Sequence, residues 1–316
     1  KLKNKENLLI ILGPTGVGKT TISLELAKKL KGEIISCDSM QIYKYMNIGT
    51  AKISPEKMNK IPHYLIDIVY PDEEFTVHDF KVQAESHISH INKSGQLPIM
   101  VGGTGLYINS IVYELKFTNV EPNEAFRKEC NIVADKYGNE YLYKKLIKID
   151  AKSAIKIEVN DRKRIIRALE IYNETNKPMS YYNEGFRRER DNYNLIMVGL
   201  NMDRSILYSR INNRVEEMFK DGLVEEVESL LNMGYDENLV SMKAIGYKEI
   251  IPYIKGEIGL DETKDLLKRN TRRYAKRQLT WFRRDKRIKW IDVGKFNSRD
   301  SIVDLISKYI EETLKI

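Results

Sequence analysis

A parallel α/β sheet built around a glycine loop and interrupted by a mainly helical insertion is the architecture this sequence predicts. Three observations carry it. A short β-rich apolar run, Leu8–Leu12, enters the glycine-rich octapeptide Gly13–Thr20, and a helix-patterned segment follows at once. Further strand-like runs at Glu33–Cys37, Leu97–Val101 and Leu195–Leu200 alternate with helical spacing, as a parallel sheet with crossover helices requires. Between about Val120 and Asn192 the glycines thin out, Tyr and Lys rise and helical patterns dominate, so this stretch reads as an insertion.

The elements follow in order. Ile22, Leu26 and Leu30 mark a helix after the glycine loop, and Gly32 stops it before the second strand, which ends at Asp38. A mixed segment punctuated by Pro55, Pro62 and Pro71 precedes the third strand, which ends in Gly102-Gly103-Thr104-Gly105. Ile165, Leu169 and Tyr172 form an apolar helical stripe inside the insertion. Leu195–Leu200 returns the chain to the first core. Helices are then expected at about Ser205–Lys220, Val224–Met233 and Thr263–Arg284, a late strand at Ile288–Val293 and a last helix at Ile302–Leu314. With 316 residues, the division expected is 1–119 for the first part of the core, 120–192 for the insertion and 193–316 for the second part.

Composition narrows the class. Hydrophobic residues make up 42% and charged ones 31%, ordinary for a globular chain. The longest apolar runs are far too short to cross a bilayer, and no signal-peptide pattern precedes the glycine loop, so a cytoplasmic protein is expected. Two cysteines, Cys37 and Cys130, exclude a disulfide framework and a Cys-based structural zinc. The four histidines have no cysteine or paired acid close in sequence and suit surface or core roles better than metal binding. The net charge of +8 is concentrated: Lys268–Lys289 holds eleven Lys/Arg and one acid, so the rest of the chain is slightly acidic. A localised patch of this kind fits a polyanionic partner.

Gly13-Pro14-Thr15-Gly16-Val17-Gly18-Lys19-Thr20 fits G-x-x-x-x-G-K-[ST], a P-loop. Its glycines let successive N–H groups turn toward phosphate oxygens, the next helix adds its positive end, Lys19 a point charge and Thr20 a hydroxyl suited to Mg²⁺. ATP- and GTP-hydrolysing relatives of this motif place an acid at the end of a core strand. Here the clearest later strand ends in glycines instead, although Asp67 remains a candidate for that acid. Asp38, at a strand end beside the loop, suits a general base and equally a helix N-cap. Gly102–Gly105 allows close ligand approach with a hydroxyl from Thr104, or is a plain tight turn. In the basic segment Lys268, Arg272 and Lys276, with Arg269, Arg273 and Arg277, cover one broad helical face. Leu267, Tyr274 and Trp281 lie away from it, where they can anchor the helix, so the charged face is read as a phosphate-binding surface rather than mere solvated charge.

Together these residues resemble the tRNA dimethylallyltransferase family, also called tRNA isopentenyltransferase, from about Leu8 to Val293. The matching stretches are GPTGVGKT, DSMQIYKYMNIGTAK from Asp38, IPHYLIDI, VGGTGLYI, NDRKRIIRALEIY, MKAIGYKE and TRRYAKRQLTWFRR, in the family's order and spacing. The resemblance implies transfer of a dimethylallyl group from dimethylallyl diphosphate to the exocyclic amine, N6, of the adenosine 3′-adjacent to the anticodon, with Mg²⁺ as cofactor. It implies that Asp38 is the base on that amine, that Ser39, Met40 and Gln41 lie beside the tRNA, and that Thr104 and Arg127 are single tRNA contacts. It places Arg214 on the diphosphate, so that Asp38, Thr104 and Arg214 are the expected catalytic set. Further tRNA-binding segments are implied at Asn160, Asp161, Arg162, Lys163 and Arg164. Two more are implied at Met242, Lys243, Ala244, Ile245, Gly246 and Tyr247, and along the basic helix. There Arg272, Arg273 and Lys276 are joined by Arg277, Gln278, Trp281, Arg283 and Arg284. Two positions depart from the family pattern: Tyr45 stands where glycine is frequent, and Arg162 where proline is frequent. The zinc finger of eukaryotic members is missing from the pattern, which fits the bacterial form, and a monomer is expected.

Adenine's amine is a poor nucleophile, because its lone pair is delocalised into the ring. The expected chemistry therefore needs a carboxylate to take its proton and cations to stabilise the departing diphosphate. Three other activities share parts of this pattern. An adenylate isopentenyltransferase would not need the basic segment or the insertion. A P-loop kinase of a small metabolite would transfer phosphate from ATP. A non-catalytic RNA-binding P-loop protein would not need Asp38 and Thr104.

Overall fold

The computed structural model describes residues 5–115, 118, 120–183 and 188–315. The described chain divides into two compact units, Lys1–Ile111 with Asp191–Ile316, and Val112–Arg190. The insertion thus starts at 112 rather than 120 and ends at 190 rather than 192; residue 119, the expected end of the first part, lies outside the described residues.

The larger unit is a six-stranded, wholly parallel sheet. Its elements up to the insertion are β1 (Glu6–Leu12), α1 (Lys19–Leu30), β2 (Gly32–Cys37), α2 (Pro55–Met58), β3 (His63–Tyr64), α3 (Val77–Lys93), β4 (Leu97–Gly102) and α4 (Gly105–Val112). The smaller unit supplies α5 (Glu124–Tyr137), α6 (Asn139–Ile149), α7 (Ala151–Ala154), α8 (Arg162–Thr175) and α9 (Met179–Tyr182). The larger unit resumes with β5 (Tyr193–Asn201), α10 (Arg204–Lys220), α11 (Leu223–Asn232), α12 (Ile250–Ile254), α13 (Leu260–Phe282), β6 (Ile288–Asp292) and α14 (Arg299–Leu314).

Strand order is β3-β2-β4-β1-β5-β6. The central strands are continuous apolar runs because a parallel sheet covered on both faces leaves no solvent side to alternate with. Leu8 to Leu12 are all fully buried. Register then decides where the loops go. Cys37 of β2 pairs with Gly102 of β4, and Gly102 with Leu12 of β1. The three residues that follow, Asp38, Gly103 and Gly13, therefore leave the sheet side by side at its carboxyl edge, the place where ligands bind in open α/β sheets.

The pattern missed α3, whose boundaries are fixed by a reciprocal capping box between Thr76 and Asp79. It also missed β3, only two residues long, which pairs with Ile34 and Ile35.

In the smaller unit α5, α6 and α8 pack around Cys130, Leu142, Leu146, Ile165 and Leu169. Of the expected stripe, Ile165 and Leu169 are buried and Tyr172 is half-buried. An antiparallel bridge between Tyr113 and Glu189 joins the two ends of the unit.

Candidate active site

Gly13 to Thr20 wraps the amino end of α1, whose cap, Gly18, has φ 102°, while Gly16 has φ 83°. Both lie in the left-handed region that glycine adopts without the penalty of a Cβ. The Lys19 ammonium folds back over the loop and donates to the carbonyls of Gly13 at 2.9 Å and Pro14 at 2.8 Å. Arg214 of α10 reaches the same loop, with Nη1 3.5 Å from Thr15 Oγ1. Burial, and then the neighbouring Arg214 cation, lower Lys19 to about 7, while the Asp38 carboxylate acts in the opposite direction. Burial likewise lowers Arg214, again opposed by Asp38. Two cations are thus crowded at one loop, opposed by the Asp38 and Glu217 carboxylates, and a bound diphosphate would relieve their repulsion further.

Asp38 begins the adjacent loop. Its Oδ1 accepts from the amides of Met40 at 2.9 Å and Gln41 at 3.3 Å, so the carboxylate does cap the turn it starts. Oδ2 has no hydrogen-bond partner among the described residues. The two readings of Asp38, cap and base, are therefore compatible, one for each oxygen. Thr104 closes the arrangement: its hydroxyl accepts from the Ser39 amide at 3.0 Å and its own amide donates to Cys37 O at 3.1 Å. Tyr274 of α13 stands over Thr104, and its phenol is pushed up by burial and by the Asp38 charge. A cleft of about 970 Å³ is lined by the P-loop, Asp38, Gln41, Arg214, Tyr274 and Gln278, among others. That is ample for a small anionic ligand and a base together.

Several implied site residues have different surroundings from those the sequence pointed to. Gln278, implied as a tRNA contact, is tied to the P-loop and to Gly103. It is buried, its Oε1 accepts from Thr15 N at 2.9 Å, and its Nε2 donates to Gly103 O at 3.1 Å. This explains the second glycine of Gly102–Gly105, where a Cβ would lie 2.1 Å from Gln278 Nε2, and Gly105 meets Trp281 in the same way at 2.3 Å. Those glycines allow a helix to approach. Of the Met242–Tyr247 segment, Met242 and Tyr247 are fully buried and Ala244 and Gly246 buried, leaving Lys243 exposed and Ile245 half-buried. The segment packs as core against α11 and α12, because Met242, Ala244, Tyr247 and Ile250 form one apolar cluster with Val227 and Leu230.

The basic helix is also narrower than its spacing implied. Lys268 pairs with Glu216 of α10 at 2.6 Å, and Arg272 donates to Asn212 at 2.7 Å. That stripe docks α13 on α10. Arg269, Arg273, Lys276, Arg277, Arg283 and Arg284 remain exposed.

In the smaller unit Arg127 is not a free cation either. It grips the fully buried Glu170 with Nε and Nη2 at 2.8 and 3.1 Å, and Arg167 adds a further bond to Glu170 at 2.5 Å. A buried carboxylate needs such partners. Asp161 caps α8 through the Arg164 amide at 3.3 Å. Arg162, at the position where proline is frequent, bonds Asn139 at 2.7 Å and Asp135 at 2.6 Å. Asn160, Lys163 and Arg164 stay exposed.

Asp67, the other candidate acid, is tied to the Lys52 ammonium at 2.5 Å. No group of three or more His, Cys, Asp or Glu able to hold a metal ion occurs among the described residues. Nor is any described helix long and apolar enough to cross a membrane.

The geometry defines a class: a P-loop α/β enzyme with a carboxylate facing the anion-binding loop. Comparison with known proteins makes it specific. Residues 41–285 match the family model described as IPP transferase. The chain is 50% identical over 305 residues to the tRNA dimethylallyltransferase of Acetivibrio thermocellus, covering 96% of this chain and 97% of that one. With the enzyme of the same name from Caldanaerobacter subterraneus it shares 49% over 311 residues, 98% of each chain. Among solved structures, the tRNA isopentenylpyrophosphate transferase of Bacillus halodurans superposes with a TM-score of 0.73 at 44% identity, covering 98% of this chain and 97% of that one. A eukaryotic dimethylallyltransferase acting on tRNA gives 0.79 at 27% identity, covering 97% of this chain and 80% of that one. The chain belongs to the IPP transferase family, the tRNA dimethylallyltransferases, and is a prenyltransferase.

Proposed function

We propose that this enzyme transfers the dimethylallyl group of dimethylallyl diphosphate to N6 of the adenosine 3′-adjacent to the anticodon in tRNA, releasing diphosphate. The observation that carries this reading is the shared cleft: a carboxylate with one oxygen uncommitted faces a loop bearing two crowded cations.

The P-loop amides, Lys19 and Arg214 hold the diphosphate. The N6 lone pair forms a bond to C1 of the isoprenoid as the C1–O bond to diphosphate breaks, and the electron pair of that bond leaves on the diphosphate. Asp38 Oδ2 takes the N6 proton, which restores a neutral amine. Thr104 holds the Asp38 turn through the Ser39 amide. No carboxylate cluster occurs among the described residues, so Thr20 is the residue that would hold Mg²⁺ at this loop. Bound in that way it would neutralise charge on the leaving group.

The acceptor adenine must leave its stack to reach the cleft, at a cost of about a few kcal/mol. Phosphate contacts from Arg273, Lys276, Arg277, Arg283 and Arg284 on α13, and from Lys163 and Arg164 at the start of α8, are proposed to offset it. A monomer acting in the cytoplasm, where tRNA is modified, is the setting proposed.

The test is incubation with dimethylallyl diphosphate, Mg²⁺ and unmodified tRNA, followed by nucleoside mass spectrometry. The expected product is isopentenyladenosine at one position of the anticodon loop. Modification of free adenosine monophosphate but not of tRNA would instead assign the enzyme to the adenylate isopentenyltransferases.

A further inference from the structure

Outside the cleft, one carboxylate is engaged by more backbone than any reaction role requires. Glu226 lies on α11. Its Oε2 accepts from the amides of Asn47 at 3.0 Å and Ile48 at 2.8 Å, and its Oε1 from Gly49 at 3.2 Å. The Tyr247 hydroxyl donates to Oε1 at 2.5 Å. Three consecutive amides of this loop, whose earlier part is bridged at Tyr43 to Val69, are thus satisfied by a single side chain. A carboxylate is suited to this, because it is acceptor-only and has about four lone-pair sites.

The loop it grips is the one that carries Asp38. From Gly49 the chain runs into Thr50, whose carbonyl accepts from Gln41 Nε2 at 3.1 Å, and the Gln41 amide donates to Asp38 Oδ1. The far end is fixed separately: Lys52 Nζ donates to Tyr43 O at 2.7 Å, Asn47 Oδ1 at 3.0 Å and Asp67 Oδ1 at 2.5 Å. Tyr45 and Ala51 take φ of 68° and 49° without being glycine, so this backbone is held in place by its surroundings rather than by local preference. Gly49 is required because a Cβ there would sit 2.4 Å from the Tyr247 ring.

We propose that Glu226, held by Tyr247, is a positioning residue for the transfer step. It clasps the 47–49 amides so that the Asp38 turn keeps its free oxygen toward the acceptor amine. Glu226 does not line the cleft and acts only through the loop. This also gives the buried Tyr247 a function other than tRNA contact. The proposal rests on the prenyl-transfer reading above.

The test compares Glu226→Gln and Tyr247→Phe with the parent enzyme in steady-state and single-turnover prenylation. Glu226→Gln keeps the shape but places an amide donor against amide donors. Its kcat should fall by about 10–100-fold, the scale of a small displacement of a reacting group. The KM values for tRNA and for dimethylallyl diphosphate should stay within about twofold. Tyr247→Phe should lose about 3–10-fold in kcat, the worth of one hydrogen bond. Hydrogen exchange at the 47–49 amides should quicken in both variants. Glu225→Gln, exposed on the same helix, is the control and should keep parental rates.

An unchanged kcat in folded Glu226→Gln would overturn the proposal, and so would a raised KM for tRNA with kcat intact. Should Glu226→Gln fail to fold, Tyr247→Phe decides alone, and an unchanged kcat there has the same force. A parent enzyme that prenylates no tRNA would sink the underlying reading instead, and the exchange rates at 47–49 would still report on the clasp.

Discussion

The diphosphate loop takes its shape mainly from its own residues, with Gln278 adding one distant bond at Thr15. Gly16 and Gly18 supply the left-handed backbone, α1 begins at its end, and Lys19 closes on carbonyls five and six residues back. The loop from Asp38 to Lys52 takes its shape from elsewhere. Thr104 holds its start, Glu226 its middle and Asp67 its end, and the Glu226 contacts span up to 179 residues of sequence. The first loop is a local motif that any strand–helix junction can carry. The second exists only when the whole larger unit has folded around it, and it bears the proposed base. Anion binding and proton removal are thus built on supports of different range, and variants should separate them.

The largest effect is expected at the base. Asp38→Asn should keep tRNA binding and lower single-turnover transfer by about 10²–10⁴-fold, the usual worth of a general base. Asn can still accept the Met40 and Gln41 bonds, so the turn survives. A near-normal rate at saturating tRNA would leave Asp38 as a cap only.

The local loop should respond differently. Lys19→Ala and Arg214→Ala each remove a cation from the leaving diphosphate and should cost about 10²–10³-fold in transfer rate. They should also raise the KM for dimethylallyl diphosphate, with tRNA affinity measured by filter binding unchanged. Loss of tRNA binding in either variant would show that the two supports are not separable.

A third prediction concerns the outer face of α13, away from both loops. Arg272 docks on Asn212, so the exposed set to replace is Arg273, Lys276 and Arg277. Changing all three should weaken tRNA binding in every sequence context, since phosphate contacts position the ligand and read no bases. Each cation–phosphate pairing removed should flatten the slope of log affinity against log salt by about 0.7–0.9. An unchanged slope would mean this face is solvated surface and would move the search to Lys163 and Arg164.

The smallest effect is a proton. Lys19 is lowered to about 7, so at about pH 8 it is mostly neutral in the free enzyme. A bound diphosphate favours the ammonium and raises that value, so binding takes up at most about one proton above pH 7 and affinity falls as pH rises. Below 7 the ammonium is already present and uptake at this site vanishes. Calorimetry of diphosphate binding in buffers of different ionisation enthalpy checks this, with Lys19→Met as the variant that should lose the uptake.

The same contrast explains what could be read in the sequence. The P-loop, the parallel strands and the strand-end placement of Asp38 and Thr104 were legible because each depends on residues within one turn or one strand. The α13 spacing gave the helix but not which charges face α10, since Glu216 and Asn212 lie some fifty to sixty residues away. For Met242–Tyr247 the resemblance implies a tRNA-binding segment, while packing against α11 and α12 makes most of it core. Gln278 was implied only as a tRNA contact, with nothing to point to its bonds, and Glu226 had no sequence signal at all. Their partners, Thr15 and Gly103 in one case and residues 47–49 in the other, are brought to them only by the fold.

On this reading the P-loop holds a leaving group rather than a nucleotide donor. Phosphorus NMR of one mixture of enzyme, Mg²⁺, unmodified tRNA, dimethylallyl diphosphate and ATP tests it directly. Inorganic diphosphate should appear one for one with isopentenyladenosine while the ATP resonances stay constant. Growth of ADP and phosphate signals without diphosphate release would instead make the enzyme a phosphoryl-transfer catalyst.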